Sequence, residues 1–290
     1  MTHPIAAQPR YLTGLIGRGI QASRSPWLHE QEADAQGLRL IYRLFDFAAD
    51  GHDESHLPHL LDALQTAGFA GVNVTHPYKQ AVMAWLDDLS DQARAIGAVN
   101  TIAFRNGRRI GHNTDVTGFA ESFRNGLPDA AVTHVVQVGA GGAGAATAHA
   151  LMGLGVGELT IFDADAERAA RLCATLCDHY GAGRTIVGTD LAPALAGADG
   201  VVNATPMGMV AHPGSSVPAE LLRPALWVSD IVYVPLETQL IKNARAAGCA
   251  TLDGGGMAVF QAVGAFQLFT GFTPDAERMR RSFSEGSGKI

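Results

Sequence analysis

Residues 133–144 read THVVQVGAGGAG, a run of β-branched residues that leads directly into a glycine-rich turn and then into an alanine-rich segment. In the GxGxxG pattern of this turn, the first glycine permits a tight turn, the second lets the backbone approach a pyrophosphate, and the third lets a helix lie close to a strand. Because the pattern follows a predicted strand and opens a predicted helix, it predicts a dinucleotide-binding βαβ unit. The turn comprises Gly139, Ala140, Gly141, Gly142, Ala143 and Gly144.

The next predicted strand of this unit ends in an acidic residue. Asp163 follows Thr160-Ile161-Phe162, about nineteen positions beyond Gly144, where an acid accepts hydrogen bonds from ribose hydroxyls. An acid there also repels the 2′-phosphate of NADP, so the sequence favours NAD as the cofactor. Arg168 stands close enough to contact either a ribose hydroxyl or a 2′-phosphate. Folds that bind S-adenosylmethionine also use a glycine-rich turn and a downstream acid, and they stay an alternative on this segment alone.

Strand-like apolar runs alternate with amphipathic helical patterns on both sides of this segment, which is typical of an α/β fold. Before residue 115 we predict strands at 11–16, 40–45 and 71–74, helices near Pro26 and at 57–67, and a hairpin around Asn106-Gly107. From residue 133 onward, strands at 133–138, 158–162, 199–204, 226–232 and 250–252 and a helix at 167–180 predict a doubly wound sheet.

These elements predict a two-domain α/β protein. Residues 1–115 would form an N-terminal α/β domain, and residues 116–256 a Rossmann-type doubly wound domain that binds NAD. Residues 256–269 are apolar at helical spacing, so we expect C-terminal helices within 257–290 that pack back on the first domain and complete it.

Composition narrows the class of protein. The chain has 290 residues, of which 47% are hydrophobic and 17% charged, as in ordinary globular proteins that bury their own cores. A formal net charge of -7, with scattered Arg and Lys, argues against nucleic acid and anionic membrane as partners. Residues 1–10 lack a basic patch followed by a long apolar run, and no stretch approaches about 18 apolar residues, so we expect a cytoplasmic protein with no membrane span.

Cysteine and histidine spacing gives no sign of a metal. The three cysteines, Cys173, Cys177 and Cys249, form no CxxC pair and are predicted to be buried free thiols. The eleven histidines show no HExxH or paired Cys/His spacing, so no metal is implied.

Four polar clusters stand where apolar strands of the first predicted domain end. Each has a simple structural explanation, because Ser25-Pro26 can be a helix N-cap followed by proline in the first turn, and asparagines commonly satisfy turns. The clusters are SRSP at 23–26, NVTHPYK at 73–79, AVNT at 98–101 and GHNTD at 111–115.

Taken together and in order, the motifs of this chain resemble the shikimate/quinate dehydrogenase family over nearly its whole length. The matching segments are the SxSP turn at 23–26, NVTHPYK at 73–79, GAVNT at 97–101, GHNTD at 111–115, VGAGGAG at 138–144, NATPMGM at 203–209 and MAVFQA at 257–262.

The resemblance implies that Lys79 transfers the proton and that Asp115 is its paired carboxylate beside the reacting hydroxyl. Removing hydride from a secondary alcohol leaves a positive carbonyl carbon unless the hydroxyl proton also leaves, so a base within hydrogen-bond reach is needed. His76 and His112 are the rival bases by residue type. The family pattern gives neither histidine that role.

The resemblance also implies that residues 1–115, completed by the C-terminal helices, form the substrate-binding and catalytic domain, and it implies roles for individual residues. Hydroxyl and amide groups both donate and accept hydrogen bonds, so they suit a polyol ring. The substrate carboxylate would be held by Ser23 and Ser25, ring hydroxyls would be contacted by Asn73, Thr75, Asn100 and Gln261, and Tyr233 would reach the substrate. The nicotinamide half of the cofactor would be lined by Thr205, Pro206, Met207 and Ile231, with Gly254 and Met257 near the ring.

Two departures from the family pattern refine the expected activity. Asp163 stands where NADP-dependent biosynthetic members tend to carry an Asn-Arg-Thr-like basic stretch, so the chain looks like the NAD-preferring branch, which suits catabolic oxidation or a side pathway. Ser25 stands where quinate-accepting relatives can have threonine, which favours shikimate over quinate.

We therefore expect an NAD-dependent oxidoreductase that interconverts shikimate and 3-dehydroshikimate. Quinate or aminoshikimate as the main substrate is an alternative, as is a non-catalytic NAD-binding regulator. The only partner expected is a small ring acid, and the oligomeric state is left open between monomer and homodimer.

Overall fold

A computed structural model describes residues 8–285, so residues 1–7, which include most of the segment tested above for an export signal, and residues 286–290 lie outside the described part. Within it, the chain forms two compact units. The first unit comprises residues 8–94, 98–114 and 262–285, and the second comprises residues 95–97 and 115–261.

The first unit contains a six-stranded mixed sheet with strand order β2-β1-β3-β5-β6-β4. β1 pairs in parallel with β2 and β3, whereas β5 runs antiparallel to β3 and β6. The strands are β1 (Arg10–Gly17), β2 (Arg39–Asp46), β3 (Gly71–Val74), β4 (Asp88–Leu89), β5 (Thr101–Arg105) and β6 (Arg108–His112). The helices in this part of the chain are α1 (Ser25–Ala35), α2 (Leu57–Thr66) and α3 (Asp91–Ile96), of which α3 ends within the second unit.

The end of the chain completes the core of the first unit. Helices α9 (Gly255–Thr270) and α10 (Ala276–Glu285) follow the last strand of the protein. Phe266 and Phe269 of α9 are buried in one hydrophobic cluster with Leu15 of β1 and Leu40 of β2. α10 packs against α1, where the Trp27 indole donates a 3.1 Å hydrogen bond to the Ser282 carbonyl. The prediction that C-terminal helices pack back on the N-terminal domain is therefore confirmed.

The second unit contains a six-stranded sheet with strand order β12-β11-β10-β7-β8-β9, and every pairing in it is parallel. The strands are β7 (His134–Val138), β8 (Glu158–Phe162), β9 (Thr185–Val187), β10 (Gly200–Asn203), β11 (Trp227–Asp230) and β12 (Ala250–Leu252). The helices are α4 (Asp115–Gly126), α5 (Gly142–Gly153), α6 (Ala166–Tyr180), α7 (Leu191–Ala196) and α8 (Gln239–Ala246).

The order of these strands confirms the predicted doubly wound fold. From β7 the sheet grows through β8 and β9 on one side and through β10, β11 and β12 on the other. The strand order therefore reverses between β7 and β10, and ligands of such sheets bind outside the carboxyl ends of the strands at this switch point. The loops after Val138 and Asn203, which end those two strands, are consequently the first places to look for a cofactor.

Two of the elements that the sequence patterns missed in this unit are short, whereas α4 and α8, with 12 and 8 residues, were missed despite their length. β9 has only three residues and α7 only six, too few for a hydrophobic period to be recognised. The predicted strand at 226–232 ends at Asp230 because the next residues leave the sheet, with the Val232 amide donating back to the Asp230 carboxylate. No helix between residues 8 and 285 is both long enough and apolar enough to cross a membrane.

Candidate active site

The first unit gathers amide and hydroxyl side chains where β3, β5 and β6 meet. Asn73 Nδ2 donates to Thr101 Oγ1 over 2.9 Å and to the Asn100 carbonyl over 3.2 Å. Asn100 Nδ2 donates to Thr114 Oγ1 over 3.0 Å, and Asn100 Oδ1 accepts from the Thr114 amide over 2.8 Å. All four residues are buried. Two of the predicted substrate-binding asparagines, Asn73 and Asn100, thus belong to one hydrogen-bonded cluster.

Tyr42 extends this cluster, and sequence reasoning did not identify it. Its hydroxyl donates a 2.7 Å hydrogen bond to Asn73 Oδ1. Since both N–H groups of the Asn73 amide are already used, any ring hydroxyl that meets this side chain must donate to its Oδ1. The only sequence signal for Tyr42 is its inward position in the alternating burial pattern of β2.

The predicted carboxylate-binding serines lie in one tight turn at the start of α1. Ser23 Oγ lies 3.2 Å from Ser25 Oγ and accepts a hydrogen bond from the Ser25 amide. Arg24 stands between them, and its guanidinium lies over the Phe283 ring of α10, 4.9 Å from the ring centroid. In the structure the Ser23 hydroxyl donates to Ser25 Oγ, so both hydroxyls can donate to a carboxylate only when that bond is exchanged for one to the ligand.

The residues after β3 carry the predicted proton-transfer group. The Thr75 amide donates to the Ile16 carbonyl over 2.9 Å, and the carbonyl of Lys79 accepts from the Val99 amide over 2.8 Å. These bonds fix the backbone of the NVTHPYK segment against β1 and the GAVNT segment. Asp115, the predicted partner of Lys79, is the buried first residue of α4 and belongs to the second unit.

The two rival bases have different surroundings. His76 is exposed on the NVTHPYK turn. His112 is half-buried at the end of β6, where burial and then the positive charge of Arg105 lower its pKa. A lowered pKa keeps His112 neutral at pH 7, so its charge does not exclude it as a base.

The glycine-rich turn of the second unit has the geometry that its motif predicts. Gly139 has a φ of 110°, and a side chain there would collide with the backbone of Ala204. A Cβ at Gly144 would collide with the Gly139 carbonyl, so only glycine lets α5 lie this close to β7. A Cβ at Gly141 would meet nothing within 4 Å, which leaves open space where a phosphate group can approach the start of α5.

Asp163 is held directly against this turn. Its Oδ2 accepts a 2.7 Å hydrogen bond from the Ala140 amide, and its Oδ1 accepts a 2.9 Å bond from the Asp165 amide. Arg168 lies 3.7 Å from Asp163 Oδ1 and 3.4 Å from Asp165 Oδ2, with about half of its side chain exposed. The predicted ribose-binding acid therefore has a fixed orientation, and the nearby arginine is paired with two carboxylates.

A surface pocket of about 340 Å³ opens between the ends of β8 and β9, and Phe162, which precedes Asp163 in the chain, is part of its lining. Sequence reasoning missed it because β9 itself was not predicted. A flat, mostly apolar group such as a purine base fits such a lining. The pocket is lined by Thr160, Phe162, Ile186, Val187, Gly188, Thr189, Asp190, Pro193 and Ala194.

The loops after β10 and β11 contain the residues predicted to line the nicotinamide. Thr205 is half-buried, whereas Pro206 and Met207 are exposed. The Ile231 amide donates to the Asn203 carbonyl over 3.1 Å, which joins the two loops. A Cβ at Gly254 would come within 2.6 Å of the Val232 carbonyl oxygen, so the turn after β12 packs tightly against the same loops.

The remaining predicted site residues also belong to the second unit. Tyr233 is exposed, with 36% of its surface accessible, and Met257 is buried in the first turns of α9. The Gln261 side chain is partly buried and donates to the Ala258 carbonyl over 3.0 Å.

Among residues 8–285, no group of three or more His, Cys, Asp or Glu residues could hold a metal ion. The cysteines are free thiols; Cys173 and Cys249 are buried, but Cys177 is only half-buried.

Comparison with known proteins identifies two family matches in this chain. Residues 15–102 match the family described as "Shikimate dehydrogenase substrate binding domain", and residues 254–282 match "Shikimate 5'-dehydrogenase C-terminal domain".

Full-length relatives agree with these matches. A protein of Streptomyces avermitilis named "Shikimate dehydrogenase (NADP(+))" is 57% identical, with 97% of each chain covered. A protein of Corynebacterium efficiens named "Quinate/shikimate dehydrogenase (NAD(+))" is 53% identical, with 94% of this chain and 97% of the other covered. The solved structure of quinate dehydrogenase from Corynebacterium glutamicum in complex with NAD superposes with a TM-score of 0.89 at 48% identity, covering 96% of this chain and 100% of that one.

Proposed function

The chain belongs to the shikimate dehydrogenase family, and we propose that it interconverts shikimate and 3-dehydroshikimate by hydride transfer with NAD as the cofactor. The first unit is proposed to bind the substrate and the second to bind the cofactor. The observation that carries the choice of NAD is the fixed position of the Asp163 carboxylate at the glycine turn, 2.7 Å from the Ala140 amide nitrogen.

The charges around Asp163 support NAD over NADP. Asp163, Asp165 and Glu167 contribute three negative charges at the start of α6, against two positive charges from Arg168 and Arg171. Because these carboxylates already pair with the two arginines, their negative charge disfavours binding of a 2′-phosphate. A ribose 2′-hydroxyl, by contrast, can donate a hydrogen bond to Asp163. One of the similar proteins is named for NADP(+) and another for NAD(+), so their names do not decide the cofactor. The choice of NAD therefore depends on this charge cluster.

The cofactor fits the second unit as described above. Open space at Gly141 admits the pyrophosphate to the start of α5, and the pocket between the ends of β8 and β9 suits the adenine. When bound, NAD supplies a nicotinamide ring that accepts the hydride. The loop residues Thr205, Met207 and Ile231 are proposed to line that ring.

The residues of the first unit are proposed to bind and orient the ring acid. Ser23 and Ser25, whose hydroxyl oxygens lie 3.2 Å apart, would donate to the substrate carboxylate. Asn73 Oδ1 would accept from a ring hydroxyl, because its two N–H groups are engaged within the protein. Thr75, Asn100 and Gln261 are proposed to contact the other hydroxyls, and Tyr233 to reach the substrate.

Lys79 is proposed to take the hydroxyl proton at its Nζ as the hydride leaves, with the Asp115 carboxylate holding the resulting ammonium in place. Proton removal prevents positive charge from building up on the carbon that becomes a carbonyl. The burial of Asp115 supports this role, because a buried carboxylate attracts a cation more strongly than an exposed one. In the reductive direction the same lysine would return the proton.

Quinate is the second candidate substrate, since two of the similar proteins carry quinate in their names. Ser25 supports shikimate, because quinate-accepting relatives can have threonine at this position. A single methyl group changes binding by only about 1 kcal/mol, so both acids must be tested.

Initial rates of NAD and NADP reduction with shikimate and with quinate, on the wild type, Lys79→Ala and Lys242→Ala, test the proposal. Lys242 is an exposed lysine of α8 and serves as the matched control. We expect shikimate oxidation with NAD that falls at least a thousandfold in Lys79→Ala and is unchanged in Lys242→Ala.

Each other result removes one part of the proposal. Faster reduction of NADP than NAD contradicts the cofactor choice, and comparable rates in Lys79→Ala contradict the role of that lysine. Measurable NADH binding without turnover of either acid would exclude both substrates and direct the search to amino-substituted or otherwise modified ring acids.

A further inference from the structure

Asp230 is a buried carboxylate that the proposed reaction does not use. It is the last residue of β11, with 1% of its surface exposed. Burial raises its pKa, although hydrogen bonds from Thr238, Val232 and Asn203 act in the opposite direction. A buried carboxylate is costly unless its oxygens are hydrogen-bonded, so its retention at a strand end needs a physical reason.

Donors from three different segments surround this carboxylate. Asp230 Oδ1 accepts from Asn203 Nδ2 over 2.8 Å and from the Val232 amide over 3.0 Å. Asp230 Oδ2 accepts from Thr238 Oγ1 over 2.6 Å. The side chain therefore joins the end of β10, the loop after β11 and the start of α8.

Asn203 connects Asp230 to the loop that follows β10, because its side chain also forms hydrogen bonds with two residues of that loop. Its second N–H group donates to the Met207 carbonyl over 3.0 Å, and its Oδ1 accepts from Thr205 Oγ1 over 2.7 Å. Thr205 Oγ1 in turn accepts from the Met207 amide over 3.1 Å. Because an ionised Asp230 can only accept hydrogen bonds, it forces the Asn203 amide nitrogen to face it and the amide oxygen to face Thr205.

The same loop packs directly on Thr238. Gly208 has a φ of 108°, and a Cβ built there would lie 3.1 Å from the Thr238 methyl carbon and 3.7 Å from Asp230 Oδ2. Thr238 also caps α8, since its Oγ1 accepts from the Ile241 amide over 3.2 Å. The loop thus rests on a surface formed by Asp230 and its partner threonine.

We propose that Asp230 is a positioning residue that sets the conformation of residues 204–208 and thereby the binding of the nicotinamide half of the cofactor. Asp230 acts through Asn203 and Thr205, and it touches neither cofactor nor substrate. The proposal rests on the proposed function, because it takes Thr205 and Met207 as residues that line the nicotinamide.

The test compares two ligands that share one half of the cofactor. NADH contains the nicotinamide, whereas ADP-ribose contains only the adenosine, the pyrophosphate and the second ribose. Dissociation constants for both are measured by calorimetry on the wild type and Asp230→Asn. Asp199→Asn is the matched control, because Asp199 accepts a 2.9 Å bond from the His134 amide at the opposite end of the same sheet.

We expect Asp230→Asn to weaken NADH binding about tenfold and to leave ADP-ribose binding within twofold of the wild type. Asp199→Asn should change neither. Thr238→Val and Thr238→Ser form a second pair that keeps the carboxylate. Thr238→Val should weaken NADH binding relative to ADP-ribose binding. Thr238→Ser keeps the hydroxyl and loses only the methyl group that faces Gly208, so it should change the ratio of the two dissociation constants less than Thr238→Val does.

The positioning role is overturned if the ratio of the dissociation constants for NADH and ADP-ribose is the same in Asp230→Asn as in the wild type, whether or not both ligands bind more weakly. If Asp230→Asn no longer unfolds cooperatively on heating, the two Thr238 variants provide the test. The positioning role is then overturned if the ratio of the two dissociation constants is the same in Thr238→Val and Thr238→Ser. Failure of the wild type to bind NADH at all would instead overturn the proposed function, and this inference with it.

Discussion

The Tyr42 hydroxyl of β2 donates a 2.7 Å hydrogen bond to Oδ1 of Asn73 on β3, two strands away in the same sheet. Both side chains are buried, with 5% and 6% of their surfaces exposed. With its two N–H groups bound to Asn100 and Thr101, the Asn73 amide cannot rotate without breaking three hydrogen bonds. Tyr42 therefore completes the set of contacts that orients an amide proposed to face the substrate.

Tyr42→Phe is expected to raise the KM for the ring acid about three- to tenfold while the KM for NAD stays unchanged. Losing one neutral buried hydrogen bond costs about 1 kcal/mol, and 1.4 kcal/mol corresponds to tenfold in affinity. Steady-state kinetics measures both constants. Tyr11→Phe is the control, because the Tyr11 hydroxyl donates to the Thr270 carbonyl, away from the asparagines. Equal changes in the two variants would contradict a specific role for Tyr42.

Asp163→Asn is expected to lower the ratio of kcat/KM for NAD to that for NADP at least tenfold. The substitution removes one negative charge beside the proposed ribose site, and it leaves Arg168 with Asp165 as its one remaining partner of the two, so a 2′-phosphate there meets less repulsion. The ratio is obtained from initial rates with each cofactor. Asp178→Asn makes the same charge change at an exposed position on α6 and should leave the ratio unaltered. A ratio that stays constant in both would show that Asp163 does not select the cofactor.

His29 is expected to make the first unit sensitive to acid. It is fully buried and stacked on Tyr42, with ring centroids 4.8 Å apart, and neither ring nitrogen has a hydrogen-bond partner among residues 8–285. Burial lowers its pKa from 6.5 to about 3. Between these values the unfolded chain binds a proton that the folded chain does not, so the free energy of unfolding falls as the pH decreases through this window.

His29→Phe should flatten this dependence, by up to about 1.4 kcal/mol per pH unit. Urea unfolding at pH 7, 6 and 5 measures the slope. His59→Gln, at an exposed position on α2, is the control and should keep the wild-type slope. Some slope is expected to persist in His29→Phe, because burial and then the neighbouring His179 lower the pKa of His149 to about 4. Identical slopes in all three proteins would mean that folding does not lower the pKa of His29.

The contact between α1 and α10 is expected to stabilise the first unit through one ion pair. Arg278 donates two 2.7 Å hydrogen bonds to the carboxylate of Glu32, whose side chain is completely buried. Arg278→Met leaves a buried carboxylate without its counterion, so we expect the free energy of unfolding to fall by roughly 3 kcal/mol. Denaturant unfolding measures the change.

Two further variants make this measurement specific. Arg280→Met removes an exposed pair with Glu277 on the same helix and should change the free energy of unfolding by less than about 1 kcal/mol. Adding Glu32→Gln to Arg278→Met removes the buried charge and should recover part of the loss. A similar small effect of Arg278→Met and Arg280→Met would show that the buried pair contributes little.

The sequence alone determined the α/β class, the doubly wound sheet and the glycine turn, and it predicted the packing of the C-terminal helices on the first domain. These features depend on local patterns, such as the hydrophobic period of a strand or the glycines that permit a close turn. The resemblance read from seven motifs was confirmed by the comparisons. The roles assigned to Lys79, Asp115 and the other site residues stay predictions.

Only the tertiary structure decided which side chains meet. The bond between Tyr42 and Asn73 joins residues 31 positions apart, and that between Glu32 and Arg278 joins residues 246 apart. Asp230 lies inside the strand predicted over 226–232, and only the structure places Asn203 and Thr238 around its carboxylate. The free energy of a buried hydrogen bond depends on where distant strands bring its partner, and a local sequence pattern carries no record of that distance.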